Sequence, residues 1–149
     1  MNRPALVFVL LFVLAVALSA QSNQLVDRML GDEAADTADA AYMALLSADM
    51  IEETASPQEA LSLARERGWL AQEADGGDPT TFGTFVYMLM EAHGEAGGVM
   101  YRIFPGPRYA AKEAAFQNWT VQRRGSGEVI SGEVALRVLG NFLAEEEAE

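Results

Sequence analysis

The sequence predicts an all-α domain that follows a signal peptide and consists of two helix–loop–helix repeats of about 50 residues plus an N-terminal helix. Three observations predict this architecture. Apolar residues recur at helical spacing, residues typical of helix starts precede them, and a shift of about 50 residues aligns one half of the chain with the other. Half of the 149 residues are hydrophobic, which is enough for one domain with a core.

The first 20 residues have the composition of an export signal. Arg3 supplies a positive charge, residues 5–17 are all apolar, and small residues offer cleavage sites after Ala17 or Ala20. An uncleaved anchor is the alternative, but a spanning helix needs about 20 apolar residues, and this run is shorter. We therefore expect an exported protein of the periplasm, extracellular space or cell envelope, without a stable membrane span after cleavage. A polar linker is expected over 21–35.

The chain is strongly acidic, with a formal net charge of −12. Removal of residues 1–20 leaves nine Lys and Arg against 22 Asp and Glu, a net charge of −13. Nucleic acid and anionic membranes repel such a chain, which favours basic or neutral partners. There is no cysteine, which excludes disulfides, a thiol nucleophile and thiolate metal ligands.

The helical domain is expected over 36–144, and its first helix is predicted over Thr37–Glu52 from the apolar spacing. Ser56-Pro57-Gln58-Glu59 is the strongest start signal. Serine at the N-cap, proline at the first helical position and glutamate at the third predict a capping box. The second helix should end near Gly68, ahead of a loop over 73–79.

The third helix is predicted over Phe82–His93, between a cap at Thr81 and a terminating glycine at Gly94. Its apolar residues cover nearly the whole circumference, so we expect it to be the central core helix. After it, the alternation over Val99–Phe104 predicts a short extended segment.

Two further helices complete the chain. Pro107 is predicted to start a helix that runs to about Asn118, and Ser131 caps the last one. Residues 145–149 form an acidic tail, which we expect to fray because acids at a helix C-terminus oppose the macrodipole.

A shift of about 50 residues aligns a first repeat, 56–95, with a second, 106–145. The matched positions include both tryptophans, two helix-starting prolines and two helix caps: Trp69 with Trp119, Pro57 with Pro107, and Thr81 with Ser131. Units this small cannot bury their apolar faces alone, so we expect the copies to share one core. Chance similarity between two helical hairpins is the alternative.

Each copy has a helix, a small residue with an apolar residue, a loop, and a second helix with a hydroxyl cap. The residues are Arg67-Gly68-Trp69-Leu70, Asp75-Gly76-Gly77-Asp78-Pro79 and Thr81-Phe82-Gly83, then Gln117-Asn118-Trp119 and Ser131-Gly132-Glu133. This pattern, over about 56–145, resembles the S-layer-homology repeat of bacterial envelope proteins, which implies a helical repeat fold at the cell envelope. That family holds cell-wall polymer with the arginine of a Thr-Arg-Ala-Glu signature. At the corresponding positions this chain has Thr81-Phe82-Gly83-Thr84 and Ser131-Gly132-Glu133-Val134, so the signature is absent.

The segment between the copies carries the candidate ligand-binding residues, which are Tyr101, Arg102, Arg108 and Tyr109. Guanidinium groups bind carboxylate or phosphate, and phenol rings stack on sugars or peptide. The alternative is that both arginines pair with acids of the same chain while the tyrosines pack between the copies. Arg123-Arg124 is interpreted as a solvated loop.

The sequence indicates no catalytic residue, no metal site and no cofactor. His93 is the only histidine, and we interpret it as a helix-end residue that bonds the last carbonyls. Without a second histidine or a cysteine, a zinc site is not expected. Glu73, Asp75 and Asp78 lack the spacing of an EF-hand loop, so we interpret them as a solvated turn.

Three functional hypotheses follow. The first is an exported, non-catalytic envelope module that contacts cell-wall glycan or peptide, or an envelope protein, through the Tyr101–Tyr109 face. The second is a periplasmic scaffold subunit of a complex or homo-oligomer, and the third is a small hydrolase.

Overall fold

Seven helices and no β-strand make up the part of the chain that the computed structural model describes, residues 24–148. In chain order they are α1 (24–31), α2 (Thr37–Ser47), α3 (Pro57–Glu66), α4 (Phe82–His93), α5 (Val99–Ile103), α6 (Pro107–Phe116) and α7 (Gly132–Glu146). The prediction of one all-α domain is confirmed, since the buried residues of these helices form one hydrophobic core. The signal peptide predicted over 1–20 lies outside the described residues.

Hydroxyl side chains start three of the helices, as predicted. At α3, Ser56 accepts a hydrogen bond from the backbone N–H of Glu59, whose carboxylate accepts one from the backbone N–H of Ser56 at 2.6 Å. Thr81 and Ser131 accept in the same way from the third residue of α4 and of α7. Each cap satisfies a backbone donor that the helix itself leaves unpaired.

Helix α2 ends at Ser47 and not at Glu52, so the predicted end is wrong. Asp49 adopts the left-handed conformation with φ 54°, and the N–H of Met50 donates back to a carbonyl of α2 at 3.0 Å. This bond closes a Schellman motif, which reverses the chain. Gly94 ends α4 by the same geometry, with φ 69°.

Helix α4 lies at the centre and packs against α2, α6 and α7, as predicted from its apolar circumference. Its buried side chains are Phe82, Phe85, Val86, Met88, Leu89 and Met90. Each large apolar side chain removed from water stabilises the fold by about 1.5–3 kcal/mol. Helix α4 therefore carries a large share of the hydrophobic stabilisation.

The segments that lead into α2, α4 and α7 are joined by a closed ring of backbone hydrogen bonds. The N–H of Thr80 donates to Ala35 at 2.8 Å, that of Ile130 to Thr80 at 3.3 Å, and that of Ala35 to Ile130 at 2.8 Å. All three residues are buried, and each lies two positions before a helix. The ring therefore holds the N-terminal ends of these three helices together.

The predicted linker over 21–35 is, from residue 24 onward, part of the domain. Leu25 and Met29 of α1 are buried in the core. Arg28 clamps the buried carboxylate of Asp39 on α2, with an Nη2–Oδ2 distance of 2.7 Å. A buried charge needs such a partner, so this contact holds α1 on the domain.

The prediction of an extended segment over Val99–Phe104 is wrong, because Val99–Ile103 forms helix α5. A strand would place Val99, Tyr101 and Ile103 on one face. In the structure Tyr101 is 3 % exposed, whereas Val99 and Ile103 are 62 % and 59 % exposed. One aromatic anchor on a helical turn explains this pattern.

The acidic tail predicted over 145–149 is helical in its first two residues, since α7 continues to Glu146. The indole N–H of Trp119 donates to the carboxylate of Glu145, and the His93 imidazole contacts Glu146 at 3.0 Å. The macrodipole opposes acids at this end by only about 0.3–1 kcal/mol. Two specific partners from other parts of the chain outweigh it.

Candidate functional site

The four residues predicted to bind a ligand do not lie on one surface. Tyr101 points inward, where its hydroxyl donates to Glu91 at 2.7 Å and its ring meets Tyr87 edge-on at 6.3 Å. Burial, and then the hydrogen bond to Glu91, raises the pKa of the Tyr101 phenol well above its usual value. The Tyr101 side chain therefore anchors α5 and is not part of the exposed surface.

Arg102 and Arg108 are exposed, and neither forms a salt bridge with any acid of residues 24–148. Tyr109 is half-buried and stacks on Phe104, with 6.2 Å between the ring centroids. The Lys112 ammonium lies 4.9 Å from the centroid of the Tyr109 ring. One cation, Lys112, thus lies over the ring of Tyr109 in this aromatic pair.

Sequence reasoning missed the apolar part of this surface. Val99, Met100, Ile103 and Phe104 are 53–62 % exposed, although soluble chains normally scatter such residues singly. With Arg102 and Arg108 they form a surface that we call the α5 face. The missed signal was the spacing around Tyr101: if it is the inward residue of a helix, the apolar residues on either side of it face outward.

Two adjacent glycines allow α5 to pack this closely. A Cβ at Gly97, which has φ 58°, would lie 2.8 Å from the Tyr101 ring, and one at Gly98 would lie 2.7 Å from the carboxylate of Glu113. A larger residue at Gly97 would be strained by the positive φ and would press on the Tyr101 ring, whereas at Gly98 it would meet the movable end of the Glu113 side chain. The glycines therefore let Tyr101 reach its pocket while the opposite side of the helix stays in solvent.

His93, predicted to bond the last carbonyls of α4, instead connects three helices. Its Nε2 lies 3.0 Å from Ser47 Oγ, and its Nδ1 lies 3.0 Å from a carboxylate oxygen of Glu146. Ser47, His93 and Glu146 stand at the C-terminal ends of α2, α4 and α7. Phe142 packs edge-on against the imidazole at 4.8 Å. This cluster ties together the helix ends opposite the backbone ring.

A serine, a histidine and a glutamate in this order have the connectivity of a nucleophile, a base and its orienting acid. The hydroxyl of Ser47, however, also lies 2.9 Å from the carbonyl oxygen of Ala44, which competes with His93 for its hydrogen. The next three backbone N–H groups, of residues 48–50, all donate to carbonyls of α2, which leaves none to bind an oxyanion. The contacts of this cluster join the ends of three helices.

Residues 24–148 contain no group of three or more His, Asp or Glu side chains arranged to hold a metal ion. In the acidic loop, Asp75 accepts a hydrogen bond from the N–H of Gly77 at 3.0 Å, the geometry of a local turn. In the loop after α6, Arg124 pairs with Glu128, whereas Arg123 is exposed. Among the described helices, none has the length and apolar content that a bilayer crossing requires.

No family model, no curated protein and no solved structure matches this chain. The resemblance to S-layer-homology repeats therefore rests on the sequence pattern alone.

Proposed function

We propose that the chain is an exported, non-catalytic binding module of the cell envelope that contacts cell-wall glycan or peptide, or an envelope protein, through its α5 face and Tyr109. The observation that carries the proposal is the pair Arg102 and Arg108. Both stay without an acidic partner among residues 24–148, although the chain contains 22 acids. An exposed guanidinium beside apolar side chains is free to pair with a carboxylate or phosphate from outside.

The export part of the proposal depends on residues 1–20, and the envelope part on the resemblance to S-layer-homology repeats. The non-catalytic part is supported by the Ser47–His93–Glu146 cluster, because the carbonyl of Ala44 competes for the Ser47 hydrogen and the neighbouring N–H groups all bond to α2.

We also propose that 56–95 and 106–145 arose by duplication. Four local features recur at the same spacing: a proline at the first helical position, a left-handed residue after the helix, a tryptophan whose backbone N–H donates to an alanine carbonyl, and a hydroxyl cap. The pairs are Pro57 and Pro107, Gly68 and Asn118, Trp69 and Trp119, and Thr81 and Ser131. The tryptophan side chains have diverged, because Trp119 is buried whereas Trp69 is half-buried beside Arg67.

Binding to isolated cell-wall sacculi and to detergent-extracted envelope proteins tests the proposed function. We expect retention of the wild-type chain and at least a tenfold loss when Arg102→Ala and Arg108→Ala are combined, because both external ion pairs are removed. Arg123→Ala is the matched control, since this arginine is also exposed but lies in another loop. Equal retention of all three proteins, with unchanged circular dichroism, would contradict the proposed role of the α5 face.

A scaffold subunit is the second candidate function. The exposed aliphatic side chains of the α5 face, Val99, Met100 and Ile103, favour it, because they offer a glycan neither hydrogen bonds nor an aromatic ring. Exposed Met and Phe beside Arg are typical of protein–protein interfaces.

A further inference from the structure

Two kinds of side chain on and beside the α5 face lack a partner in the isolated chain. Four large apolar side chains remain in water, and the neighbouring cations Arg102, Arg108 and Lys112 have no acidic partner among residues 24–148. A surface that covers the apolar side chains and also pairs with the cations has an apolar centre and acidic flanks.

The chain itself presents such a surface elsewhere. An open groove of about 510 Å³ follows the end of α2, and we call it the 46–53 groove. Its lining consists of three half-buried apolar residues and three exposed acids: Leu46, Met50, Ile51, Asp49, Glu52 and Glu53. None of these acids forms a salt bridge within residues 24–148. The groove therefore has the apolar centre and the acidic flanks that the α5 face requires.

We propose that the α5 face of one copy docks into the 46–53 groove of a second copy. This inference rests on the proposed role of the α5 face as the contact surface, and it names the partner. Met100, Ile103 and Phe104 fill the apolar floor of the groove, and Arg102 and Arg108 meet its carboxylates. Burial of apolar side chains drives the association, and the opposite charges fix its orientation.

The proposed contact is head-to-tail, because the two surfaces are different parts of one chain. Each bound copy still presents one free α5 face or one free groove, so association continues beyond the dimer into a ring or an open chain. The net charge of −12 opposes crowding of copies, which keeps each contact weak and makes the assembly concentration-dependent.

Sedimentation of the full chain over a wide concentration range tests this inference. Ile103→Asp places a carboxylate in the α5 face, and the double variant Glu52→Lys with Glu53→Lys reverses two charges of the groove. We expect the average mass of the wild type to rise with concentration, and each variant alone to remain monomeric. Mixing the two variants should restore a heterodimer, because one still has an intact groove and the other an intact α5 face.

Two controls carry the same chemical changes away from both surfaces. Val121→Asp alters an apolar residue that is 85 % exposed outside the α5 face, and Glu33→Lys with Glu73→Lys adds the same charge at two other exposed acids. Both should associate like the wild type. Val99→Asp, at 62 % exposure, replaces Ile103→Asp if the latter alters the circular dichroism spectrum.

Three results would overturn the inference: a wild type that stays monomeric, association that survives in both variants, or a mixture that fails to recover the heterodimer. Association through residues 1–23 is separated by the same comparison, because it would persist in every variant. A monomeric wild type that still binds sacculi or envelope proteins would refute self-docking and leave the proposed function standing.

Discussion

A substitution at Thr80 tests the backbone ring. We expect it to raise the free energy of unfolding, whereas most core substitutions lower it. Its side chain is buried, with 1 % exposure, yet its hydroxyl has no hydrogen-bond partner in the described structure. The other two residues of the ring, Ala35 and Ile130, are apolar. A buried hydroxyl without a partner loses its hydration and gains nothing in return.

Thr80→Val keeps the β-branched shape and removes this hydroxyl. An unsatisfied buried polar group costs about 1–3 kcal/mol. The fit of the added methyl group offsets part of this gain, so we expect the free energy of unfolding to rise by about 1 kcal/mol. For a domain of this size, that corresponds to an increase of roughly 3–5 °C in the melting temperature.

Thr37→Val is the matched control, because Thr37 is also buried but its hydroxyl donates to the carbonyl of Asp78 at 2.7 Å. Here the same substitution breaks a bond, and we expect a loss of about 1 kcal/mol. Urea unfolding followed by circular dichroism measures both variants. If Thr80→Val destabilises the protein as Thr37→Val does, the Thr80 hydroxyl has a partner and the reasoning about the ring fails.

Two further predictions concern α7 and the anchor of α5. A Cβ at Gly132 would lie 1.9 Å from a backbone oxygen of α1, whereas Gly140 in the same helix has open space around it. In urea unfolding, Gly132→Ala should therefore destabilise the protein, and Gly140→Ala should stabilise it by about 0.5–1 kcal/mol. Equal effects of the two substitutions would contradict the packing of α1 against α7. Tyr101→Phe removes the hydrogen bond to Glu91 and should cost about 1 kcal/mol near pH 8. Burial raises the pKa of the Tyr101 phenol in the folded state, so its contribution to stability is fully present below the unfolded-state pKa of about 10 and is lost as the pH rises above it. The unfolding curves of wild type and variant should therefore converge at alkaline pH. A difference in unfolding free energy that stays constant with pH would contradict the raised pKa.

The helix boundaries that sequence reasoning predicted well are those set by local contacts. The capping box at Ser56 and the cap at Thr81 join residues three positions apart, and Gly94 ends α4 through its own conformation. Such contacts can be predicted from residues that are close together in the sequence. Both bounds of α4 follow from them, and its central position follows from its apolar circumference.

Two of the errors occurred where a partner distant in sequence contributes to the structure. Tyr101 turns inward, where Glu91 accepts its hydroxyl, and the segment that alternates like a strand is a helix. The last turn of α7 is held by the indole of Trp119, although macrodipole reasoning predicts fraying there. Neither contact has a signature in local sequence.

The candidate site was predicted in part for the same reason. Arg102 and Arg108 could be singled out because cations are scarce in this chain, and the structure exposes both. Which of the neighbouring aromatics would be buried could not be predicted, because that depends on how α5 packs against α4 and α6. Tyr101 was therefore included in the site and Phe104 was omitted.

The two surfaces proposed to meet occupy corresponding places in the fold. The connection from α2 to α3, 48–56, and the connection from α4 to α6, 94–106, each follow a helix that starts at the backbone ring. Each has a left-handed residue at its first or second position, Gly94 or Asp49. The second connection is longer and contains α5. The helices of the ring are constrained by the core, so these connections are where such a scaffold can acquire different surfaces without loss of stability. One surface is acidic, and the other is apolar with an exposed arginine.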